Sequence, residues 1–281
     1  MKKIIVTLLS ILLILSCSAC STGNSSTFNI EFIDVGQGDS ALVECDGHYM
    51  LVDAGDKSHG NNVNEILIDK DIHSLDILVA THIHDDHIGG FENALSGIVR
   101  IGTALCNTDS ASTTTFLNFQ NDLASIGTQI AVPQKGDKYQ LGSASVEVID
   151  NGTGNDENSS IVLLITYKKT TFLLTGDMPD ESITEFCNNH STSAGDIEIL
   201  GYTLLKVAHH GARDNTTYQF LRIVEPRYAV ISVGRGNSYG HPNGDTLDLL
   251  DDADIKVYRT DYDGNIKVAS NGKELKIDTS K

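Results

Sequence analysis

The sequence of 281 residues is poor in positive charge, because 20 lysine and arginine residues stand against 38 aspartate and glutamate residues, for a formal net charge of −18. A field of this sign repels an extended polyanion and disfavours binding of long nucleic acid over the whole surface. A local basic stripe in the C-terminal third is still compatible with the sequence, although its members are equally well explained as solvated surface charges: Lys206, Arg213, Arg222, Arg227 and Arg235.

Tryptophan is absent and proline occurs only four times, but neither scarcity restricts the function. The scarcity of cysteine is more informative, because it bears on disulfide bonds. Beyond residue 20 only Cys45, Cys106 and Cys187 remain, and their spacing shows no pairs, so no disulfide framework can be derived from it. We expect each of the three to be a small buried hydrophobic residue.

Long apolar runs are also missing. The longest, residues 4–15, has 12 residues, whereas a membrane-spanning helix needs about 20. Lys2 and Lys3 precede this run and small residues follow it, which is the pattern of a secretory signal. We therefore expect an extracytoplasmic protein with no spanning helix.

The end of this signal resembles a bacterial lipoprotein signal, which is cut before a cysteine that is then acylated. Cys17 has Ile14 and Ser16 in the favoured upstream positions. Cys20 has the better neighbour, Ala19, but Cys17 then stands where an aliphatic residue is usual. We predict lipidation at Cys17, with Cys20 as the alternative, and attachment to the bacterial cell membrane through the lipid. An ordinary cleaved signal and a secreted protein form the other interpretation.

The predicted organisation is a signal peptide over residues 1–20, a small polar tether over residues 21–27 and one domain over residues 28–281. Apolar runs predict strands at 28–35, 40–43, 49–52, 75–80, 146–149, 161–167, 171–175, 204–208, 228–233, 255–258, 265–268 and 275–277. Helices are predicted at 63–68, 180–187, 216–223 and 245–250. This order of strands and helices indicates an α/β fold in which helices cover sheets.

A dense cluster of metal-type ligands directly follows the predicted strand 75–80. His82 and His84 are two residues apart, so in an extended chain they point the same way and can bind one ion together. Asp86 and His87 follow where the strand gives way to a loop, and they can turn toward a second ion. Imidazole and carboxylate are zinc-type ligands, and metal pairs about 3.5–4 Å apart perform hydrolytic chemistry.

This cluster resembles the His-x-His-x-Asp-His signature of the metallo-β-lactamase superfamily. Residues 50–55, 172–177 and 204–211 match further elements of that superfamily, in the same order. The resemblance implies an αββα sandwich of two mixed sheets flanked by helices, with the site at one edge between the sheets. It also implies that Asp177 bridges two metals, and that either His209 or His210 is a further ligand. We expect His209, because it directly ends the predicted strand.

A narrower resemblance is to the hydrolase domain of the ComEC competence proteins. It is carried by residues 32–40, 155–163 and 232–242, which contain Val-Gly-Gln-Gly-Asp-Ser, Asn-Ser-Ser and Gly-His-Pro elements. The sequence has no counterpart of the multi-helix membrane channel of ComEC proper. Like that family, it lacks the usual third histidine at the first metal, where Asn158, Ser159 and Ser160 stand instead. One of the two ions is therefore expected to bind weakly.

Other polar residues are expected to support the ligands or to contact substrate. Asp53 is interpreted as a structural acceptor that holds the signature loop, and Asp34 and Asp39 are assigned similar roles. Asn158 and Ser160 belong to the same supporting set. Gly36 and Gly38 are expected to permit a tight turn beside the site. His241 has two interpretations: a packed loop histidine, or a phosphate contact and general acid.

These expectations combine into a surface-anchored phosphodiesterase, and more narrowly a nuclease of ComEC type, that uses two divalent ions, with Zn²⁺ favoured over Mn²⁺. A metal-bound hydroxide oriented by Asp86 would attack phosphorus, and His210 or His241 would protonate the leaving group. Aspartate at position 177, where zinc β-lactamases tend to use cysteine, argues against β-lactam hydrolysis. The expected partner is a phosphodiester, either DNA or a small molecule, and no protein partner is predicted. The alternatives are a phosphorylcholine-type or other small-ester hydrolase, and a binding module without turnover.

Overall fold

The computed structural model describes residues 27–154, 156–192 and 196–281. The predicted signal peptide, with its lipidation candidates Cys17 and Cys20, and the tether up to residue 26 lie outside these ranges. No helix in the described ranges combines the length and the apolar character that crossing a membrane requires.

The first sheet has eight strands in the order β15-β14-β1-β2-β3-β4-β5-β6. Its strands are β1 (Phe28–Phe32), β2 (Ala41–Cys45), β3 (His48–Val52), β4 (Ser74–Ala80), β5 (Arg100–Cys106), β6 (Ile130–Ala131), β14 (Ile266–Ser270) and β15 (Leu275–Thr279). Strands β3, β4, β5 and β6 run parallel to one another, and the other pairs of this sheet are antiparallel.

The second sheet has seven strands in the order β13-β12-β11-β10-β9-β8-β7. Its strands are β7 (Lys138–Leu141), β8 (Ala144–Asn151), β9 (Ile161–Tyr167), β10 (Thr170–Leu174), β11 (Leu204–Lys206), β12 (Tyr228–Ile231) and β13 (Lys256–Arg259). Strands β10 to β13 are parallel, whereas β7, β8, β9 and β10 pair antiparallel.

Helices cover the outer face of each sheet. The helices are α1 (Gly60–Asp69), α2 (Asp85–Ile88), α3 (Phe91–Ala94), α4 (Thr114–Ser125), α5 (Asp180–Asn189), α6 (Tyr218–Val224), α7 (Gly244–Asp252) and α8 (Thr260–Asp263). Buried side chains of α1 to α4 pack against the first sheet, and those of α5, α6 and α7 pack against the second. The αββα sandwich that the sequence predicts is therefore confirmed.

The central core lies between the two sheets, where side chains of alternate strand residues meet. Phe28 of β1 stacks on Tyr167 of β9 and on Phe172 of β10, with ring centroids 5.1 and 4.8 Å apart. Each fully buried ring of this kind contributes about 1.5–3 kcal/mol to folding. Strand β9 is apolar at nearly every position because Leu163 faces this core while Val162 faces the outer helices.

Most predicted strands are present with small shifts at their ends, and β9 is predicted to the residue. Strands β5, β6 and β7, helix α4 and the four-residue helices α2, α3 and α8 are missing from the prediction. In β5, Gly102 lies so close to β4 that an added Cβ would be 2.6 Å from the carbonyl oxygen of Asp76, and a glycine inside a strand weakens its sequence pattern. Helix α4 had a usable signal, since Thr113 caps it and its buried side chains recur at three- and four-residue intervals.

The polar residues of the candidate site lie at one edge of the sandwich. In both sheets the carboxyl ends of the parallel strands lie at one edge of the sandwich, so the segments that follow β3, β4, β10, β11 and β12 are brought together. Antiparallel β9 begins at the same edge. These six connections carry almost every side chain of the candidate site.

Candidate metal centre

The loop after β4 supplies four of the candidate ligands. His82 is fully buried, and its Nε2 lies 3.0 Å from Nδ1 of His84. The chain then turns into the short helix α2, whose first turn carries Asp86 and His87. The extended backbone thus carries the pair His82 and His84, and the helix carries the pair Asp86 and His87. The rings of His82 and His87 nevertheless lie together, with centroids 4.1 Å apart.

Asp177 lies beside one histidine of each pair. It follows the end of β10 and is only 2% exposed. Its Oδ2 atom is 3.3 Å from Nε2 of His87 and 3.9 Å from Nε2 of His82. Burial alone would raise the pKa of this carboxyl, but the charges of His87 and His210 hold the pKa well below its usual value. Asp177 is therefore an anionic group within reach of both pairs.

His209 and His210 both lie near the Asp177 carboxylate, but they differ in burial and in the other groups that they contact. His210 is buried, with its Nε2 3.3 Å from Oδ2 of Asp86 and 3.7 Å from Oδ2 of Asp177, while its Nδ1 lies 2.9 Å from the carbonyl oxygen of Ser232. His209 is partly exposed, with its Nε2 3.7 Å from Asp177. The geometry favours His210 over His209 as the histidine that shares an ion with Asp86.

The backbone explains why the sequence-based preference went to His209. That preference assumed a strand continuing to residue 208, but β11 ends at Lys206 and residues 208–211 form a tight turn. His209 and His210 both have left-handed backbones, with φ of 50° and 55°. Such conformations cost roughly 1–3 kcal/mol each and are retained where the surrounding structure requires them. The assumption of an extended segment was wrong, so the alternation of side chains that it implied does not apply.

Three nitrogen and oxygen atoms of the cluster are buried without a hydrogen-bond partner in the described part of the chain. They are Nε2 of His87, Nε2 of His210 and Oδ1 of Asp177. Buried polar atoms are normally satisfied, because leaving one unpaired costs about 1–3 kcal/mol. His87, His210 and Asp177 each belong to groups of side chains close enough together to hold a metal ion, and a bound cation is one way to satisfy such atoms.

The donor sets also fit divalent metals. Ligand atoms of His82, His87 and Asp177 lie within 4.8 Å of one another, and so do those of Asp86, His87 and His210. Nitrogen and carboxylate oxygen donors of this kind bind Zn²⁺, and imidazole also suits other first-row metals. The two groups share His87, and neither includes His84. These residues would hold divalent ions, with Asp177 close to His82, His87 and His210.

The pKa values of two histidines in the cluster are raised, so the cluster favours positive charge. Burial would lower the pKa of His87, but Asp177 and Asp53 hold it well above its usual value. The pKa of His210 is raised to about 9 against the effect of burial, because Asp177 and Asp39 lie beside it. In the metal-free protein, protons on these two rings offset the buried carboxylates.

Asp53 orients His87 from behind. Its Oδ2 is 2.9 Å from Nδ1 of His87, and the same carboxylate accepts hydrogen bonds from the amide and the hydroxyl of Thr81 at 2.8 and 2.7 Å. With its Nδ1 engaged in this way, the His87 ring presents Nε2 to the cluster. Carboxylate partners of this kind fix ring orientation and raise ligand basicity in metal sites.

Asp39 is placed behind His210 in a comparable way. Its Oδ1 is 3.3 Å from Nδ1 of His210, and its Oδ2 is paired with the buried ammonium group of Lys206. Burial would raise the pKa of Asp39, but Lys206 and His210 keep it below its usual value.

Lys206 is thus neither a member of an exposed basic stripe nor a solvated charge, as the sequence had suggested, because it is only 3% exposed. Its role was missed, although a lysine directly after an apolar pair in a predicted strand was a signal for a buried counter-ion. Two other supporting groups gave no such signal: the side chain of Asn215, 3.2 Å from Nδ1 of His209, and the carbonyl of Ser232.

The segment that stands in place of a third histidine supports His82 instead of adding an imidazole. The hydroxyl of Ser160 is 3.2 Å from Nδ1 of His82, accepts a hydrogen bond from the Asp177 amide and donates one to the carbonyl of Asn158. Asn158 enters this arrangement through its backbone. The side of the cluster near His82 and His84 therefore has fewer strong donors than the side near Asp86.

Asp34 is not brought to the cluster. Its carboxylate accepts from the amide of Gly36 and from Nζ of Lys281, on the exposed side of the loop after β1. The turn that follows has the glycine conformations that were expected, with φ of 67° at Gly36 and 142° at Gly38. At Gly38 an added Cβ would be 2.3 Å from the carbonyl oxygen of Asp86, so only glycine lets this turn touch the signature loop.

His241 lies at the mouth of the site on the loop after β12. Its ring centroid is 5.6 Å from that of His209 and 6.4 Å from that of His210. Burial and these two neighbouring rings lower its pKa. The loop histidine is therefore close enough to meet a substrate bound at the cluster, and its ring is mainly neutral at pH 7.

Comparison with protein families supports the architecture. The model of the metallo-beta-lactamase superfamily matches residues 33–97, which contain the loop after β4. Among solved structures, the metallo-beta-lactamase fold protein YhfI from Bacillus subtilis is similar with a TM-score of 0.55 and 11% identity, covering 89% of this chain and 99% of that one. A metallo hydrolase from Ignicoccus hospitalis, Igni18, gives a TM-score of 0.52 with 14% identity, covering 90% of this chain and 100% of that one.

The curated relatives are competence and recombination proteins. ComE operon protein 3 of Bacillus subtilis is 29% identical over 264 residues, which cover 86% of this chain and 33% of that protein. Recombination protein 2 of Haemophilus influenzae is 27% identical over 248 residues, covering 86% of this chain and 29% of that protein. The chain thus spans about a third of the length of the curated relatives it matches.

Proposed function

Because the chain has the metallo-β-lactamase fold and resembles the ComEC-type competence proteins, we propose that it is a two-metal phosphodiesterase whose substrate is a nucleic acid strand. The superfamily supports a metal-dependent hydrolase in general terms. The phosphodiester substrate is our narrower proposal, and it rests on the side chains of the site.

The position of Asp177 carries this proposal. One oxygen of its buried carboxylate lies within 3.9 Å of a nitrogen on each of His82, His87, His209 and His210. A carboxylate between two nitrogen-rich pairs can hold two cations side by side. Metal pairs about 3.5–4 Å apart occur in phosphatases and nucleases, where they act on both the attacking and the leaving oxygen of an in-line displacement.

When bound, such ions supply Lewis-acid polarisation of phosphoryl oxygens and lower the pKa of water. The residues around them would orient the attacking water and the histidine rings. Asp86, whose pKa is held below its usual range by His210 and His87 against the effect of burial, is an anion that can accept a hydrogen bond from the attacking water. Asp53 and Asp39 hold the His87 and His210 rings, so the donors are oriented before substrate arrives.

His241 and His209 face the open side, where the leaving group would depart. Because the pKa of His241 is lowered, its neutral ring has a single N–H to offer, which suits a hydrogen bond to a phosphoryl oxygen. We therefore assign His241 to phosphate contact. Protonation of the leaving oxygen is assigned to His209, which is partly exposed and can exchange protons with solvent.

The test is hydrolysis by the purified full-length chain, loaded with Zn²⁺ or Mn²⁺, of single-stranded DNA, double-stranded DNA and p-nitrophenyl phosphorylcholine. We expect cleavage of DNA, and loss of that cleavage in Asp177→Asn, which keeps the side-chain shape. Asp34→Asn is the matched control, because Asp34 lies outside the cluster. Intact DNA in all conditions would overturn the proposal.

The second candidate is hydrolysis of a small phosphodiester, and the net charge of −18 favours it. A strongly negative surface repels a long polyanion but has little effect on a zwitterionic substrate. Cleavage of the phosphorylcholine ester with DNA left intact would establish this candidate in place of the first.

The location and anchoring of the protein are also proposals. They are supported by the charged start, the apolar run and the cysteines at positions 17 and 20 of the sequence. Attachment by lipid would place the hydrolase domain outside the cytoplasm, at the membrane surface.

A further inference from the structure

The loop between β12 and α7 carries an exposed aromatic ring beside the candidate metal centre. Tyr239 is 70% exposed, and its ring lies nearly parallel to that of His241, with centroids 5.8 Å apart and an interplanar angle of 27°. The ring of His241 is in turn 5.6 Å from that of His209. A series of rings therefore leads from Asp177 to the surface.

One asparagine holds this loop in shape. The side-chain oxygen of Asn237 accepts hydrogen bonds from the amides of Tyr239 and His241, both at 3.1 Å. Its side-chain nitrogen donates to the carbonyls of Gly234 and His241 at 3.0 and 2.6 Å. Four bonds from a single side chain fix the backbone on both sides of Tyr239.

The base of the loop is anchored as well. The Gly234 amide donates to the side chain of Gln37, and an added Cβ at Gly234 would lie 2.5 Å from the Gln37 amide nitrogen. Gln37 belongs to the turn that also touches the carbonyl of Asp86 through Gly38. The loop is thus tied to the turn that contacts the signature loop, and the backbone at Tyr239 is held at a fixed place relative to it.

Tyr239 differs from the other exposed tyrosines. A guanidinium group lies over the ring of Tyr218 and another lies over the ring of Tyr262, at 5.8 and 4.4 Å from the centroids. Across the residues that the structure describes, the ring of Tyr239 has His241 as its aromatic neighbour and no cation over its face. Its outer face is open to solvent, which is an unusual arrangement for an aromatic side chain with no apparent structural task.

We propose that Tyr239 is the stacking platform for the nucleobase next to the scissile phosphate, and that the substrate class of this site is therefore nucleotidyl phosphodiesters. This inference rests on the proposed function. Base stacking on an aromatic ring does not depend on base identity or on charge. It would provide affinity that the negative field of the chain does not oppose.

Arg235 lies exposed on the same loop, and no acidic group pairs with it in the described ranges. It is available for the phosphate that follows the stacked base. One stacked base with one neighbouring cation would recognise a nucleotide end or a short single strand, whereas paired bases in a duplex are already stacked on each other.

The first experiment compares two esters with the same leaving group, using the metal-loaded full-length chain. Thymidine 5′-(p-nitrophenyl phosphate) has a base, and methyl p-nitrophenyl phosphate has none. We expect Tyr239→Ala to raise KM for the thymidine ester about tenfold, with kcat within twofold, because one base stack is lost. Tyr239→Phe should restore the wild-type KM. The methyl ester should be hydrolysed equally by all three proteins.

Tyr218→Ala and Tyr262→Ala are the matched controls, and both should leave KM for the thymidine ester unchanged. An equal change for both esters would mean that Tyr239 only shapes the loop, and it would overturn the inference. So would a Tyr239→Ala protein that matches wild type on the thymidine ester.

The second experiment measures binding of thymidine 5′-monophosphate by equilibrium dialysis, and it separates this inference from the proposed function. If wild type hydrolyses neither ester, the proposed function fails. In that case the inference that Tyr239 stacks on a base is supported if Tyr239→Ala weakens binding of the monophosphate about tenfold and Tyr239→Phe does not. It is overturned if wild type and both variants bind equally.

Discussion

The ammonium group of Lys206 is paired with the carboxylate of Asp39 in the protein interior, next to His210. Lys206 also donates to the carbonyl of Gly176, the residue before Asp177, at 3.4 Å. This buried pair therefore joins three connections at the sheet edge: the turn after β1, the end of β10 and the end of β11.

We predict that Lys206→Met destabilises the metal-free protein by about 3–5 kcal/mol, since it removes one partner of a buried ion pair and leaves Asp39 with His210 beside it. The double variant Lys206→Met with Asp39→Leu should recover part of this loss, because neither charge remains. Urea unfolding in the presence of a chelator measures both. The control is Arg213→Ala, which breaks an exposed pair with Asp245 and should cost no more than about 1 kcal/mol. Equal effects of the buried and exposed changes would contradict the prediction.

Asp177→Ala is predicted to abolish hydrolysis while the fold is kept. In the proposed two-metal site this carboxylate would offset the repulsion between two cations, so its removal should expel at least one ion. Metal analysis after dialysis should show about one ion fewer per chain than wild type, and circular dichroism should be unchanged. Activity within about twofold of wild type would rule out a two-metal mechanism. Less than one ion per wild-type chain, in excess metal, would favour a binding module without turnover.

His210→Ala and His209→Ala should differ in metal content. His210 shares its space with Asp86 and His87, so its removal should reduce the bound metal by about one ion per chain. His209 is more exposed, and His209→Ala should keep the wild-type metal content while lowering kcat about 10²–10⁴-fold, as expected for loss of a proton donor. If His209→Ala is the variant that loses metal, the ligand assignment is reversed.

The pH dependence of stability should differ between the metal-free and metal-loaded protein. The pKa of His210 is about 9 in the fold and 6.5 as a free side chain, so its contribution is fully present below pH 6.5 and is lost as pH rises through 9. His87, whose pKa is also raised, acts in the same direction. We therefore expect the free energy of unfolding of the metal-free protein to fall between pH 6.5 and 9.

Metal binding should show the opposite trend over the same range. Bound ions must displace the protons on these rings, so affinity should increase with pH and proton release should accompany binding. Urea unfolding with chelator and metal titration in two buffers of different ionisation enthalpy measure the two effects. In His210→Gln the fall in stability between pH 6.5 and 9 should be reduced. A metal affinity independent of pH over this range would contradict the assignment.

The proposed lipid anchor predicts how a double variant is processed and where it is located. Replacing both Cys17 and Cys20 with serine removes every acylation site near the predicted cleavage point, so the protein should be released into the medium or kept as an unprocessed precursor. Two or more acyl chains are what stable attachment requires. Fractionation of cells and medium with a mass measurement of the N-terminus decides this. A double variant that is processed and still membrane-bound would show that another anchor exists.

The local part of the site could be predicted from the sequence. His82, His84, Asp86 and His87 lie within six positions after an apolar strand, and short-range geometry brings them together whatever the rest of the chain does. The order of strands and helices predicted an α/β fold in which helices cover sheets, and the superfamily resemblance implied the αββα sandwich. Asp177 could be placed only through that resemblance, because 90 residues separate it from His87 in the chain.

The tertiary structure alone decided how the distant groups are arranged. The choice between His209 and His210 depends on two left-handed residues after β11, and the alternation expected of an extended strand does not hold there. Lys206 looked like a surface charge because its partner Asp39 lies on a different strand connection in the other sheet. Spacing and composition predict the local geometry of residues that are neighbours along the chain. Burial, charge pairing and ring orientation at this site depend on segments from both sheets that meet only when the sandwich forms.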